Sequence, residues 1–143
     1  MLRRLLPIVL VVALVPIAAR AQDAASKPLQ GRWVVTGGEH GAKPMDSLKG
    51  GVMNITGSAF EIRTASGNML KGTLKLDAAA TPFEMDMVHA DGEVWEAIYE
   101  TTADTFRLNY VEKGGKEPQP TAFTTSEKTE ESIVTLRRES AQK

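Results

Sequence analysis

The chain has 143 residues, 17 Lys and Arg against 18 Asp and Glu, and 42% hydrophobic residues. A chain of this size holds one core, since single domains run to about 100–150 residues. A net charge of -1 leaves no basic footprint for nucleic acid or an anionic membrane surface. The absence of cysteine excludes disulfides, thiol catalysis and acylation at a signal-peptide cysteine.

Residues 1–21 read as a secretory signal peptide. Arg3 and Arg4 supply the positive start, residues 5–18 the apolar stretch, and Ala19-Arg20-Ala21 a small-x-small cleavage site. The apolar stretch, interrupted by Pro7 and Pro16, is shorter than the ~20 residues a membrane span needs. The expectation is therefore an exported protein, periplasmic or secreted, with no membrane span after cleavage. Cleavage removes Arg3, Arg4 and Arg20, leaving 14 basic against 18 acidic residues, so 14 − 18 = −4. Residues 22–28 are small and polar and read as a flexible lead-in. The domain is expected over 29–139, with a short tail at 140–143.

From residue 29 onward, short runs with period-two alternation are punctuated by Gly, Asn and Asp, which predicts an antiparallel all-β domain. Eight runs are expected. The first, 33–39, puts Trp33 and Val35 on one face. After a connection in which 45–49 has the makings of one helical turn, 52–56 and 59–64 form a hairpin with Met53, Ile55, Phe60 and Ile62 on its apolar side. In 69–77, Leu70, Leu74 and Leu76 alternate with Lys71, Thr73 and Lys75, the pattern of a strand with one wet face. The runs 83–89, 94–100 and 105–111 set Met85, Met87, Trp95, Ala97, Tyr99, Phe106 and Leu108 against Glu, Asp, Arg and Asn, and 132–138 closes the series. Between the last two lies 112–131, rich in Lys, Glu, Thr, Gly and Pro, a loop long enough to be functional or mobile. Eight such strands close economically into an up-and-down barrel, which leaves no exposed edge. Gly72, Ala97 and Thr64 mark the places where its lumen has room.

Gly31-Arg32-Trp33 at the head of the first strand resembles the G-x-W motif of lipocalin and calycin barrels. Further pieces extend the likeness: Leu29-Gln30, His40-Gly41-Ala42-Lys43-Pro44, Lys71 to Asp77, Met85-Asp86-Met87, Asp104 to Leu108, Pro120-Thr121-Ala122-Phe123 and Leu136-Arg137-Arg138-Glu139. Together they resemble a family of small exported bacterial lipocalin-like domains of unknown function. The resemblance implies an eight-stranded antiparallel lipocalin-like barrel. It further implies that Gly31 and Trp33 plug one end, and that Arg137 or Arg138 covers the indole by a cation–π contact. It implies no catalytic or binding residue. Gln119 stands where that family often has Arg.

Chemistry-bearing patterns are sparse. His40 and His89 are the only histidines, no G-x-S-x-G elbow exists, and neither Gly37-Gly38 nor Gly114-Gly115 sits in the strand-to-helix context of a phosphate loop. The chain therefore reads as a non-enzyme with no cofactor. Glu84, Asp86, Glu93, Glu96 and Glu100 read as a solvated outer face, not as a paired-carboxylate site. Met85, Met87 and His89 share one strand face, so they are weak candidates for a soft metal such as Cu(I). Their alternative is gap-filling methionine in the core with His89 at the rim.

The leading expectation is a monomer that binds a small apolar ligand in or at the mouth of the barrel, lined by Trp33, Phe60, Leu74, Met85, Trp95, Tyr99, Phe106 and Leu108. A cavity of ~300 Å³ or more would favour it. The alternative is an envelope protein-interaction module with a filled barrel, using the 112–131 loop.

Overall fold

The computed structural model describes residues 17–139. Most of the expected signal segment and the 140–143 tail lie outside the described residues. Helix α1 (Ile17–Ser26) and a 3₁₀ turn (Lys27–Leu29) lead into strands β1 (Gly31–His40), β2 (Lys43–Pro44), β3 (Val52–Thr56) and β4 (Ala59–Arg63). Strands β5 (Met69–Asp77), β6 (Phe83–His89), β7 (Val94–Thr101), β8 (Thr105–Glu112) and β9 (Ser132–Arg138) follow. The sheet order is β2-β1-β3-β4-β5-β6-β7-β8-β9, and β1 also pairs with β9. This is a closed, eight-stranded, antiparallel up-and-down barrel. The extra β2 is a two-residue pairing against Glu39 and His40.

Alternation decides which side chains enter the lumen. Trp33, Met53, Ile55, Phe60, Leu74, Met85, Met87, Ala97, Tyr99, Phe106, Leu108 and Leu136 form one buried cluster. The outer wall carries Glu61, Lys71, Thr73, Lys75 and Asp86, the reverse of a membrane barrel, whose lipid-facing side is apolar. Among the described residues no helix is long and apolar enough to cross a membrane.

Closure required one irregularity that alternation did not predict. The β1–β9 register shifts between Val35 and Gly37, so an extra residue, Thr36, reverses which face β1 presents. Trp33 and Val35 point inward before it, whereas Glu39 after it lies outside and accepts a hydrogen bond from Thr125. Gly38 has no room for a side chain, because a Cβ there would stand 3.1 Å from Ile133 O and 3.0 Å from Leu48.

The expected flexible lead-in at 22–28 is a correction: these residues are helical. Past residue 73, β5 has outrun β4 and would leave backbone groups of Leu74 and Leu76 unpaired. The Gln22 amide takes their place, donating to Leu74 O (3.3 Å) and accepting from Leu76 N–H (3.0 Å). Unpaired backbone polar groups are costly when half-buried, so this pairing and the fully buried Leu29 tie the segment to the barrel. Helix α1 runs across the expected cleavage point between Ala21 and Gln22.

Residues 113–131 form a strap over the outer wall of β7, β8 and β9. Asn109, fully buried on that wall, donates to Ala122 O (2.7 Å) and Thr124 O (3.3 Å). Gln119 donates to Ala97 O (3.1 Å), and the Arg107 guanidinium lies 4.4 Å over the Phe123 ring. The strap explains why Ile98, Val111 and Ile133 are buried although alternation turns them outward. Asn109→Ala deletes the donor that holds two strap carbonyls. It is expected to cost about 1–3 kcal/mol and to speed tryptic cleavage at Lys116 and Lys128; unchanged cleavage would mean that Asn109 does not hold the strap.

Candidate functional site

The two barrel ends differ because the sequence puts its bulk at one of them. At the closed end Trp33 is fully buried, its ring 5.5 Å from that of Phe106. The indole N–H donates to Leu29 O at 2.9 Å. Arg138 lies 4.2 Å over the indole face and its guanidinium donates to Pro28 O (2.9 Å), Gln30 O (2.5 Å) and Ala103 O (2.9 Å). One planar fork thus joins the lead-in helix, β1 and the β7–β8 turn, a geometry that lysine does not supply. Gly31 makes the approach possible: it sits at φ +113°, and a Cβ there would stand 3.0 Å from Arg138 Nη1. Of the two arginines expected at the plug, Arg138 performs this role and Arg137 is exposed on the outside.

Toward the open end lies a cavity of about 110 Å³. Its wall is almost wholly apolar: Val35, Leu48, Met53, Ile62, Leu70, Met87, Trp95, Leu108, Tyr110, Val134 and Leu136, with Gly51, Thr64 and Ala65 at the mouth. Of the eight residues expected to line a ligand site, Trp95 and Leu108 line this cavity. Trp33, Phe60, Leu74, Met85, Tyr99 and Phe106 are buried in the close-packed core away from its wall. Val35, Leu48, Met53, Ile62, Leu70, Met87, Tyr110, Val134 and Leu136 also line the cavity and were not among the eight. Tyr110 was legible from its parity with Leu108, whereas Leu48 enters only because the 3₁₀ turn Asp46–Leu48 folds over the mouth.

Room at the expected small residues is uneven. Thr64 lines the cavity, but at Gly72 the space is occupied by β6, since a Cβ would fall 2.0 Å from Val88 O. Phe60 and His89, the cross-strand neighbours of Gly72, meet over it with ring centroids 5.3 Å apart and an interplanar angle of 80°. His89, at the rim end of β6 beside the turn, is therefore buried. Its ring also packs 4.2 Å from Trp95, and its Nε2 has no hydrogen-bond partner among the described residues. Met85 and Met87 are buried in the lumen wall.

At the rim, Trp95 stacks on Tyr110 at 4.6 Å and 12°, and its indole N–H donates to Glu93 at 2.8 Å. Outside this pair a second, polar recess of about 250 Å³ is lined by Glu93, Glu112, Glu117, Glu130, Lys116, His40 and Ser132, and again by Trp95 and Tyr110. The Glu112 carboxyl is held above the ordinary carboxylate range by its hydrogen bond to Glu93, then by the charge of Glu93, with smaller contributions from desolvation and Glu130. His40 Nδ1 is 2.9 Å from Ser132 Oγ. The other carboxylates of the expected acidic face stay on the outer wall, where Glu100 pairs with Arg107 at 2.6 Å and Glu96 lies 3.8 Å from Lys113.

The two tyrosines divide between the halves of the barrel, Tyr99 in the closed half and Tyr110 at the open rim. Burial, then the charge of Asp77, raises the Tyr99 phenol. Burial also raises Tyr110, with Ser132 pulling the other way and Glu93 adding to the rise. Since both folded pKa values exceed the unfolded value of 10.0, the phenols favour folding below that pH and this contribution is lost as pH rises through the folded values. Spectrophotometric titration should show phenolate appearing later in the folded protein than in the unfolded chain. Coincident curves would show that neither ring is buried in solution.

No family model matches the chain, and no curated protein is significantly similar to it. Among solved structures the chain is similar to a designed protein, described as a de novo designed fluorescence-activating beta barrel. Their identity is 16% and the TM-score 0.47, with 80% of this chain and 97% of that chain covered.

Proposed function

We propose that this is an exported lipocalin-like binding protein, without catalytic activity, that takes a small apolar ligand at the open end of its barrel. The observation that carries the reading is the apolar cavity of about 110 Å³ walled by Trp95 and Tyr110, smaller than the ~300 Å³ expected from the sequence. Its size selects the ligand. Drug-sized molecules occupy ~300–1,000 Å³, whereas a dry cavity near ~150 Å³ lined by aliphatic side chains suffices for benzene. The cargo is therefore one aromatic ring or a short alkyl chain, not a long lipid. Export is supported by the Arg3-Arg4 start, the apolar 5–18 stretch and the small-x-small site.

Toluene and 1-hexanol are the probes. Each should raise the melting temperature in a dose-dependent way and change Trp95 emission, with Kd in the ~0.1–10 mM range expected of fragments this small. Val134→Phe, which fills the cavity from β9, should abolish both responses. Absence of any response in the parent protein would overturn the reading in favour of a filled interaction module.

A further inference from the structure

The expected cleavage point lies between Ala21 and Gln22, so Gln22 is the residue that export would leave first in the chain. The same residue joins the lead-in to β5. Leu74 N–H still reaches the β3–β4 turn, donating to Ser58 O at 2.7 Å. Beyond it the Gln22 amide takes over, donating to Leu74 O (3.3 Å) and accepting from Leu76 N–H (3.0 Å). Both bonds are made by the side chain, so removal of the exposed Ala21 and what precedes it takes away neither partner.

A glutamine with a free α-amine has one reaction open to it that no internal glutamine has. The uncharged amine attacks its own Cδ, a C–N bond forms, the Cδ–Nε2 bond breaks, and Nε2 leaves as ammonia with a proton given up by the amine. The product is a five-membered lactam, pyroglutamate, and no oxidant, reductant or co-reactant takes part. Attack requires the side chain to fold back onto its own nitrogen. In the barrel it reaches instead to a strand more than fifty residues along the chain, which holds both the oxygen and the nitrogen of the amide.

We propose that Gln22 is a modification site gated by the fold: docked on β5 it stays open-chain, and it closes to pyroglutamate when the lead-in lets go of the barrel. This rests on the export reading, which supplies the free amine. Closure consumes Nε2, the donor to Leu74 O, and draws the carbonyl back to the backbone, away from Leu76 N–H. A lead-in that has released and closed therefore does not dock again in the same way. Gln30 marks the contrast. Its amide pairs with Gly57 in the same two-point manner, donating to the carbonyl at 2.9 Å and accepting from the N–H at 2.7 Å, but its own nitrogen lies in a peptide bond and cannot attack.

The test is the mature protein purified from cells that export it, with its amino-terminal peptide weighed by mass spectrometry. Gln22 should arrive open-chain. On incubation at mildly alkaline pH the folded protein should lose ammonia about tenfold more slowly than the same chain unfolded in guanidinium chloride, since two hydrogen bonds must open before attack. Arg138→Lys, which loosens the lead-in without touching Gln22 or β5, should fall between the two. Equal rates for folded and unfolded protein, or a Gln22 already closed on purification, would overturn the gate and leave the export reading intact. A first residue other than Gln22 in an exported chain would overturn the proposal alone. A chain that keeps residues 1–21 would overturn the export reading and the proposal together.

Discussion

Trp33→Ala is expected to cost about 3–5 kcal/mol, the range for deleting a large buried aromatic. The reason is the number of elements that meet on one ring. The indole lies against Phe106, under the Arg138 guanidinium and on the carbonyl of Leu29, so its loss leaves a void and frees the lead-in helix. Domains of this size are stable by about 5–15 kcal/mol in total, and denaturant titration will show the change directly. A loss below roughly 1 kcal/mol would mean that Trp33 does not plug the barrel. Arg138→Lys separates packing from latching: it keeps the charge and the ring contact but gives up the fork that binds three carbonyls. Its cost should be smaller, about 1–2 kcal/mol, and should appear as faster exchange of the amides in 22–30.

Gly72→Ala is the second large effect. A single added methyl group at Gly72 would be placed 2.0 Å from Val88 O and 2.8 Å from Val88 C, and both are backbone, which has no rotamer to yield. Strands β5 and β6 would have to part at the pairing of Gly72 with His89, disturbing the bond from Ala90 N–H to Lys71 O and the Phe60–His89 contact. Overpacking of this kind is expected to cost about 3 kcal/mol or more. Gly37→Ala is the control, since a Cβ there meets nothing within 4 Å and should change stability by less than about 1 kcal/mol. Similar losses for the two variants would show that the close approach of β5 and β6 does not exist in solution.

The fold was legible because each strand reports its own burial by alternation, a local signal that needs no knowledge of partners. Leu70, Leu74 and Leu76 against Lys71, Thr73 and Lys75 set the wall of β5, and the same logic placed Met85, Met87, Tyr99, Phe106 and Leu108 inside. The plug was expected only from the resemblance of Gly31-Arg32-Trp33 to the G-x-W motif. Lumen volume was not legible. It is the difference between the space the strands enclose and the side chains they send in, and six of the expected ligand contacts are consumed filling it.

Elements that break the local rule were also hidden. Ile98, Val111 and Ile133 face outward by alternation and are buried by the strap. Thr36 reverses β1 by a bulge that exists to match β9 nearly a hundred residues away. Gln22 is a polar residue in an ordinary run until β5 outreaches β4 and needs its amide. The acidic recess likewise joins Glu93 from the β6–β7 turn to Glu112, Glu117 and Glu130 from the end of β8 and the strap that follows it. What the sequence determined alone was the period and the strands that close the barrel, because those follow from neighbours in the chain. Only the tertiary structure decided where the free space lies and which charges gather at the rim, because those follow from barrel closure, which brings distant connections together.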